Sequence, residues 1–150
     1  MFKTSPGLAR LAASACAAGA VVLLAALGFR SFSLPLLLAS IGGSAVIVFG
    51  MPDSRMARPR SLYGGHVIGI AAGFLAVLLG RSDYAVAAAV ALALIAMLLT
   101  DSVHSPAGAD PIIVANAGAG PEFVLVAAVL LVLTDLLGRI IGWMFADQPR

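Results

Sequence analysis

Read as apolar and polar positions, the chain is a series of five long apolar runs: Leu11–Phe29, Phe32–Phe49, Leu62–Gly80, Tyr84–Thr100 and Phe123–Phe145. A helix needs about 20 apolar residues to cross a hydrocarbon core of about 30 Å. Each run approaches that length, and the second and fourth are short enough to require tilt or local thinning of the bilayer. The breaks at Arg30–Ser31 and Arg81–Asp83 predict tight turns, whereas Gly50–Ser61 and Asp101–Glu122 are long and rich in proline and glycine. This pattern predicts an all-α, polytopic transmembrane helical bundle. It has five spans, or four if one short run fails to cross, and a Pro/Gly-broken segment before the last span. Residues 1–150 form one integral membrane domain.

Composition agrees. The hydrophobic share of 61% exceeds the half or so usual in soluble domains, and the charged share of 11% is under half the usual quarter. A net charge of +2, scattered along the chain, excludes a nucleic-acid partner and leaves the lipid bilayer as the first partner. A single cysteine, Cys16, excludes an internal disulfide and a cysteine-built metal site. Lys3 and Arg10 ahead of an apolar run imitate a secretory signal, and Ala13–Cys16 imitates a lipoprotein cleavage site. Only five residues separate Arg10 from Cys16, however, so the run to Phe29 is expected to be a retained span.

Positive charge sets the expected orientation. Lys3, Arg10, Arg55, Arg58 and Arg60 fall on the side of the N-terminus and the first long segment, and Arg30, Arg81 and Arg150 fall opposite. The N-terminus and both long segments are therefore expected in the cytoplasm and the C-terminus outside, in a cell inner membrane. The Ala- and Gly-rich spans favour close helix contacts, and so a homo-oligomer. A faint repeat joins "MPDSRMARP" after the second run to "VHSPAGADP" after the fourth, an arrangement seen in transporters.

Two places carry candidate chemistry. Pro59 suits the first turn of a helix, which puts Arg60 at a helix N-terminus where free N–H groups and a partial positive charge already attract anions. Arg55 and Arg58, just ahead of it, serve equally well to anchor the span at phospholipid head groups. His66, deeper in the same helix, lies just inside the bilayer, where a histidine usually faces protein or a wet cavity. In the second segment, Pro106, Gly108 and Pro111 rule out a continuous helix. "IIVANAGAG" after them is apolar but too short to cross, so the segment is expected to dip back into the protein or to lie as an amphipathic surface loop. Within the last run Asp135 and Arg139 stand four apart and can pair. Ser54 and Ser105 lack a G-x-S-x-G context, and two histidines with scattered acids make no spaced metal motif. No enzyme activity, metal or cofactor is expected.

"GGSAVIVFGMPDSRMARPRSLYGGHVIG" followed by "ALIAMLLTDSVHSPAGADPIIV" resembles the HPP family of integral membrane proteins, named for a His-Pro-Pro motif. The matching residues are Gly43-Ser44-Ala45, Phe49, Pro59-Arg60, Gly64-Gly65-His66, and His104 with Pro106-Ala107-Gly108-Ala109. Ser105 stands where the naming motif has its first proline, and Arg58 where an uncharged polar residue is expected. Members of that family are associated with nitrite transport across chloroplast and cyanobacterial membranes. The resemblance thus implies a transporter or channel for a small inorganic anion, most readily nitrite, and guanidinium offers such an anion a planar fork of donors. The expected substrate-binding residues are Arg58, Arg60, Gly65, His66, His104, Ser105 and Gly108. A membrane scaffold whose Pro/Gly segments bind a partner is the alternative.

Overall fold

The computed structural model describes residues 7–28, 35–117 and 121–146. Lys3, Arg30, Arg150 and the run ends Phe29 and Phe32 lie outside them. Every regular element among the described residues is helical: α1 (Leu8–Gly28), α2 (Pro35–Ala45), α3 (Pro59–Leu78), α4 (Asp83–Leu99), α5 (Asp110–Ala117) and α6 (Pro121–Met144). A π-helical turn, Val46–Gly50, extends α2, and 3₁₀ turns cover Arg55–Ala57 and Ser105–Ala109. Three stretches are long and apolar enough to cross a membrane: Leu8–Leu27, Pro59–Leu78 and Phe123–Met144. Leu38–Gly50 and Asp83–Leu99 are shorter apolar helices, matching the two short runs of the sequence.

Local signals set the helix ends. Pro59 opens α3 behind an extended Arg58, and the Ser82 hydroxyl caps α4 by accepting from the Ala85 N–H. α3 and α4 each finish in a left-handed residue, Gly80 at φ 89° and Asp101 at φ 51°. The next N–H then bonds back to a carbonyl of the last turn: Arg81 to Ala76, and Ser102 to Met97. Aspartate tolerates this backbone better than most side chains, and Asp101 also pairs with Arg55 at 2.6 Å.

The segment after Asp101 departs most from expectation. The chain turns inward there and runs alongside α3 in the same direction. Ser102 meets Gly64, His104 meets Gly65, Ala107 and Asp110 meet Gly69, and Val114 meets Gly73. Ala115 finally joins Ala76 and Ala89. A Cβ on Gly65 would stand 2.7 Å from His104 Cβ, and one on Gly73 2.6 Å from Val114 Cβ, so only glycine admits this approach. From Gly64 to Ala76 the segment descends about 18 Å at the α-helical rise. Packing against the glycines of α3 gives its irregular backbone a protein surface to lie on, which is where such backbone is tolerated at membrane depth.

The segment therefore crosses the bundle and does not return to its starting end, which reverses α6. The Asp135 carboxylate accepts from Tyr63 near the start of α3, and Gly138 abuts Val48 in the π-helical turn after α2. α6 is thus antiparallel to α3, and its last described turns sit at the Arg60 end, not opposite it as charge counting implied. Only the opening of the second long segment, Asp101–His104, shares an end with the first. Both stretches of the sequence repeat hold a 3₁₀ turn, Arg55–Ala57 and Ser105–Ala109, but the helices that follow differ in length, Pro59–Leu78 against Asp110–Ala117.

Candidate functional site

α2 presents Ser40 and Ser44 on one face, four residues apart, toward α3 and the segment after α4. α3 contributes His66, the connection contributes His104, and α5 opens with Asp110. All five are at most 2% exposed. His66 Nδ1 lies 2.6 Å from Asp110 Oδ2, and the other carboxylate oxygen accepts from the Ser40 hydroxyl at 2.9 Å. Ser44 Oγ stands 3.0 Å from His66 Nε2, 2.9 Å from His104 Nε2 and 3.0 Å from the Ser40 carbonyl. His104 Nδ1 faces the Met56 carbonyl at 2.8 Å, and the two imidazole centroids are 5.1 Å apart. One hydroxyl thus bridges two histidines, one of which is held by a carboxylate.

Burying a carboxylate costs several kcal/mol unless it is paired and hydrogen-bonded. Asp110 meets that condition through His66 and Ser40. Among the described residues no buried side-chain nitrogen or oxygen lacks a hydrogen-bond partner. The glycines of α3 make the geometry possible, because Gly65 and Gly69 admit His104 and Asp110 to the level of His66.

Ser44, His66 and Asp110 have the connectivity of a serine-hydrolase triad. Ser44 is fully buried, however, and its oxygen already has three polar neighbours, which leaves no approach for an acyl carbon. Asp110 lies on the far side of His66 from the point where the two Nε2 atoms converge. Among the described residues no group of three or more His, Cys, Asp or Glu is placed to hold a metal ion.

A groove of about 420 Å³ lies between α2 and the 3₁₀ turn and touches this cluster at Ser40. Ser40, Gly43, Pro106 and Ala109 line it along with Ser105 and Val46.

The residues expected to bind substrate are distributed unevenly around the cluster. His66 and His104 are inside it, and Gly65 backs His104. Ser105 is exposed and lines the groove, while Gly108 is half-buried in the same turn. Arg58 and Arg60 are both exposed at the head of α3. Arg60 donates to the Thr100 carbonyl at 2.6 Å, tying the start of α3 to the end of α4. That bond draws its guanidinium toward the end of α4, and no bond joins it to the histidines. The two long segments do meet, through Arg55–Asp101, Arg60–Thr100 and His104–Met56.

Sequence reasoning missed Ser40, Ser44 and Asp110 as partners of the histidines. The signals were a serine pair at helical spacing and an acid inside an apolar stretch. It also missed Tyr63, which joins the Asp135–Arg139 pair by donating to Asp135 at 2.9 Å, with Arg139 at 3.0 Å.

No solved structure matches the chain. Two Dictyostelium discoideum proteins, each described only as a transmembrane protein, are similar to it. One is 40% identical over 82 residues, 51% of this chain and 26% of that protein. The other is 38% identical over 85 residues, 53% of this chain and 30% of the relative. In both, the shared stretch is under a third of the relative's length. The model of the HPP transmembrane region matches residues 3–145, nearly the whole chain. The chain is a member of the HPP family of membrane proteins.

Proposed function

We propose that the chain is a membrane transporter or channel for a small inorganic anion, with nitrite the first candidate. The observation that carries this is the set of ionisable side chains enclosed at the heart of an apolar helical bundle, with a groove beside it that is lined by Ser40, the hydroxyl bonded to Asp110. Ionisable groups inside a membrane protein are costly and mark ion or proton pathways by default. At the head of α3, Arg58 and Arg60 stand exposed beside a helix N-terminus, where an arriving anion finds both a guanidinium and the helix dipole. Ser105 and Gly108 form the turn between that end and the groove.

In this reading α1, α2, α3, α4 and α6 are spans in contact with lipid, and the Ser105–Ala117 piece crosses packed along α3 with Ile112 and Asn116 facing outward. Both ends of the chain then lie on one side, the cytoplasmic side of an inner membrane by the distribution of arginine. Small residues on the outer helix faces let copies of the chain associate as a homo-oligomer. Nothing in the cluster calls for enzymatic turnover.

Nitrite uptake into liposomes holding the purified protein is the test. A charge-assisted hydrogen bond contributes roughly 1.5–3 kcal/mol, and about 1.4 kcal/mol is one decade. Arg60→Ala should therefore slow uptake at least about tenfold. Arg60→Lys should recover part, since lysine can still reach the Thr100 carbonyl but cannot hold two oxygens in a plane. Arg55→Ala should change little. If the parent protein moves nitrite no faster than empty liposomes, nitrate and other oxyanions come next. Failure with all of them would overturn the anion reading in favour of a partner-binding scaffold.

A further inference from the structure

Hydrogen-bond arithmetic at the cluster does not close for neutral histidines beside an ionised Asp110. The Met56 carbonyl can only accept, so His104 Nδ1 must carry a proton. An ionised Asp110 likewise requires a proton on His66 Nδ1. Both Nε2 atoms would then be acceptors, and the Ser40 carbonyl is a third, all turned on the single hydrogen of Ser44. At least one buried ring nitrogen would go without a donor, and the enclosed cluster would carry a net negative charge. Each of these costs free energy in a site this dry.

One added proton removes both faults. With it on either Nε2, that N–H donates to Ser44 Oγ and the Ser44 hydroxyl donates to the other Nε2. All four ring nitrogens are then satisfied, and the positive imidazole pair balances Asp110. We propose that His66, Ser44 and His104, held by Asp110, form a proton-binding site in which one proton is shared between the two imidazoles.

Transfer across the site is balanced. The Nε2–H bond of the charged His66 breaks as its proton passes to Ser44 Oγ, and the hydrogen of Ser44 passes to His104 Nε2. The hydroxyl is regenerated with its direction reversed, and the charge has moved from one ring to the other. No heavy atom needs to move far, since both nitrogens are within 3.0 Å of the oxygen.

The charged groups on the elements around the site have partners of their own. Arg55 is bound to Asp101 and Arg60 to the Thr100 carbonyl. On the neighbouring α3 and α6, Tyr63, Asp135 and Arg139 are bonded to one another. The other place for this proton is the Asp110 carboxyl, donating to His66 Nδ1, and the infrared measurement below separates the two.

The proton site stands apart from the anion reading, because testing it needs no transport. The chain has two histidines, so ¹⁵N-histidine NMR of the full-length protein in lipid nanodiscs reads this site alone. At about pH 7.5, where a free imidazole is mostly neutral, three of the four ring nitrogens should be protonated in the parent protein. Asp110→Asn should lose the extra proton and show two. Ser44→Ala should leave the rings without their bridge and abolish exchange between them. Two protonated nitrogens in the parent spectrum would overturn the proposal. So would an infrared carbonyl band of a protonated carboxylic acid that disappears in Asp110→Asn. The parent spectrum decides even if a variant fails to fold.

Discussion

Asp110 and Asp135 are both carboxylates inside this bundle, and each is held by a basic group and a hydroxyl. Their partners make them different devices. Asp110 is enclosed on every side and faces His66 and Ser40, beyond which lie a second hydroxyl and a second imidazole. Asp135 bonds Tyr63 across to α3 and Arg139 one turn along its own helix, and the Arg139 side chain is 63% exposed. Guanidinium does not give up its proton in proteins, so the Asp135 group is a fixed clamp between α3 and α6. Imidazole does exchange its proton near neutral pH. The two buried acids thus differ in whether the partner beside them can change charge.

The largest effect should come from Asp110→Ala. It leaves His66 and Ser40 facing a void inside the cluster, and breaking a buried pair costs about 3–5 kcal/mol. Denaturant unfolding in detergent should register that loss, and nitrite flux should vanish with it. A stable, active Asp110→Ala protein would remove the distinction between the two acids. Next in size is Gly69→Val, because even a Cβ at that position overlaps the Ala107 carbonyl and crowds Asp110. Overpacking of this kind costs about 1–3 kcal/mol, and the ¹⁵N-histidine spectrum should change with stability, since the segment carrying His104 must shift.

Tyr63→Phe tests the clamp. It removes a hydrogen bond to a carboxylate, worth about 1.5 kcal/mol, while Arg139 keeps its pair. Stability should fall by that amount, and the histidine spectrum should be unchanged. A changed spectrum would mean that the two acids are coupled through α3. The smallest effect belongs to Arg55→Ala, which breaks an exposed ion pair with Asp101. Surface pairs contribute about 0.5 kcal/mol or less, so a thermal melt should barely move.

Most of the fold was legible in the apolar runs, since a helix long enough to cross a bilayer is written in consecutive residues. The Asp135–Arg139 pair was legible for the same reason, being one turn apart on one helix. Side chains far apart in sequence were not. His66 and Asp110 are 44 positions apart and Ser44 and His104 are 60 apart, and no local pattern says that they meet. Residues 101–117 do enter the protein, one of the two courses expected, but their crossing to the far end was not legible because hydropathy measures fitness for lipid, and this segment lies against glycine.

By itself, then, the sequence determined a helical membrane protein, the helices with their principal breaks, and the two histidines as residues of interest. Family membership too was carried by its local motifs. The tertiary structure alone decided that the broken segment crosses the bundle, that α6 runs antiparallel to α3, and that two serines and an aspartate complete the histidine site. Helix formation is governed by neighbours in the chain, within reach of a short pattern. The site depends on which helix faces come together, and that is settled by close packing of α3's glycines against a segment some 40 residues further along.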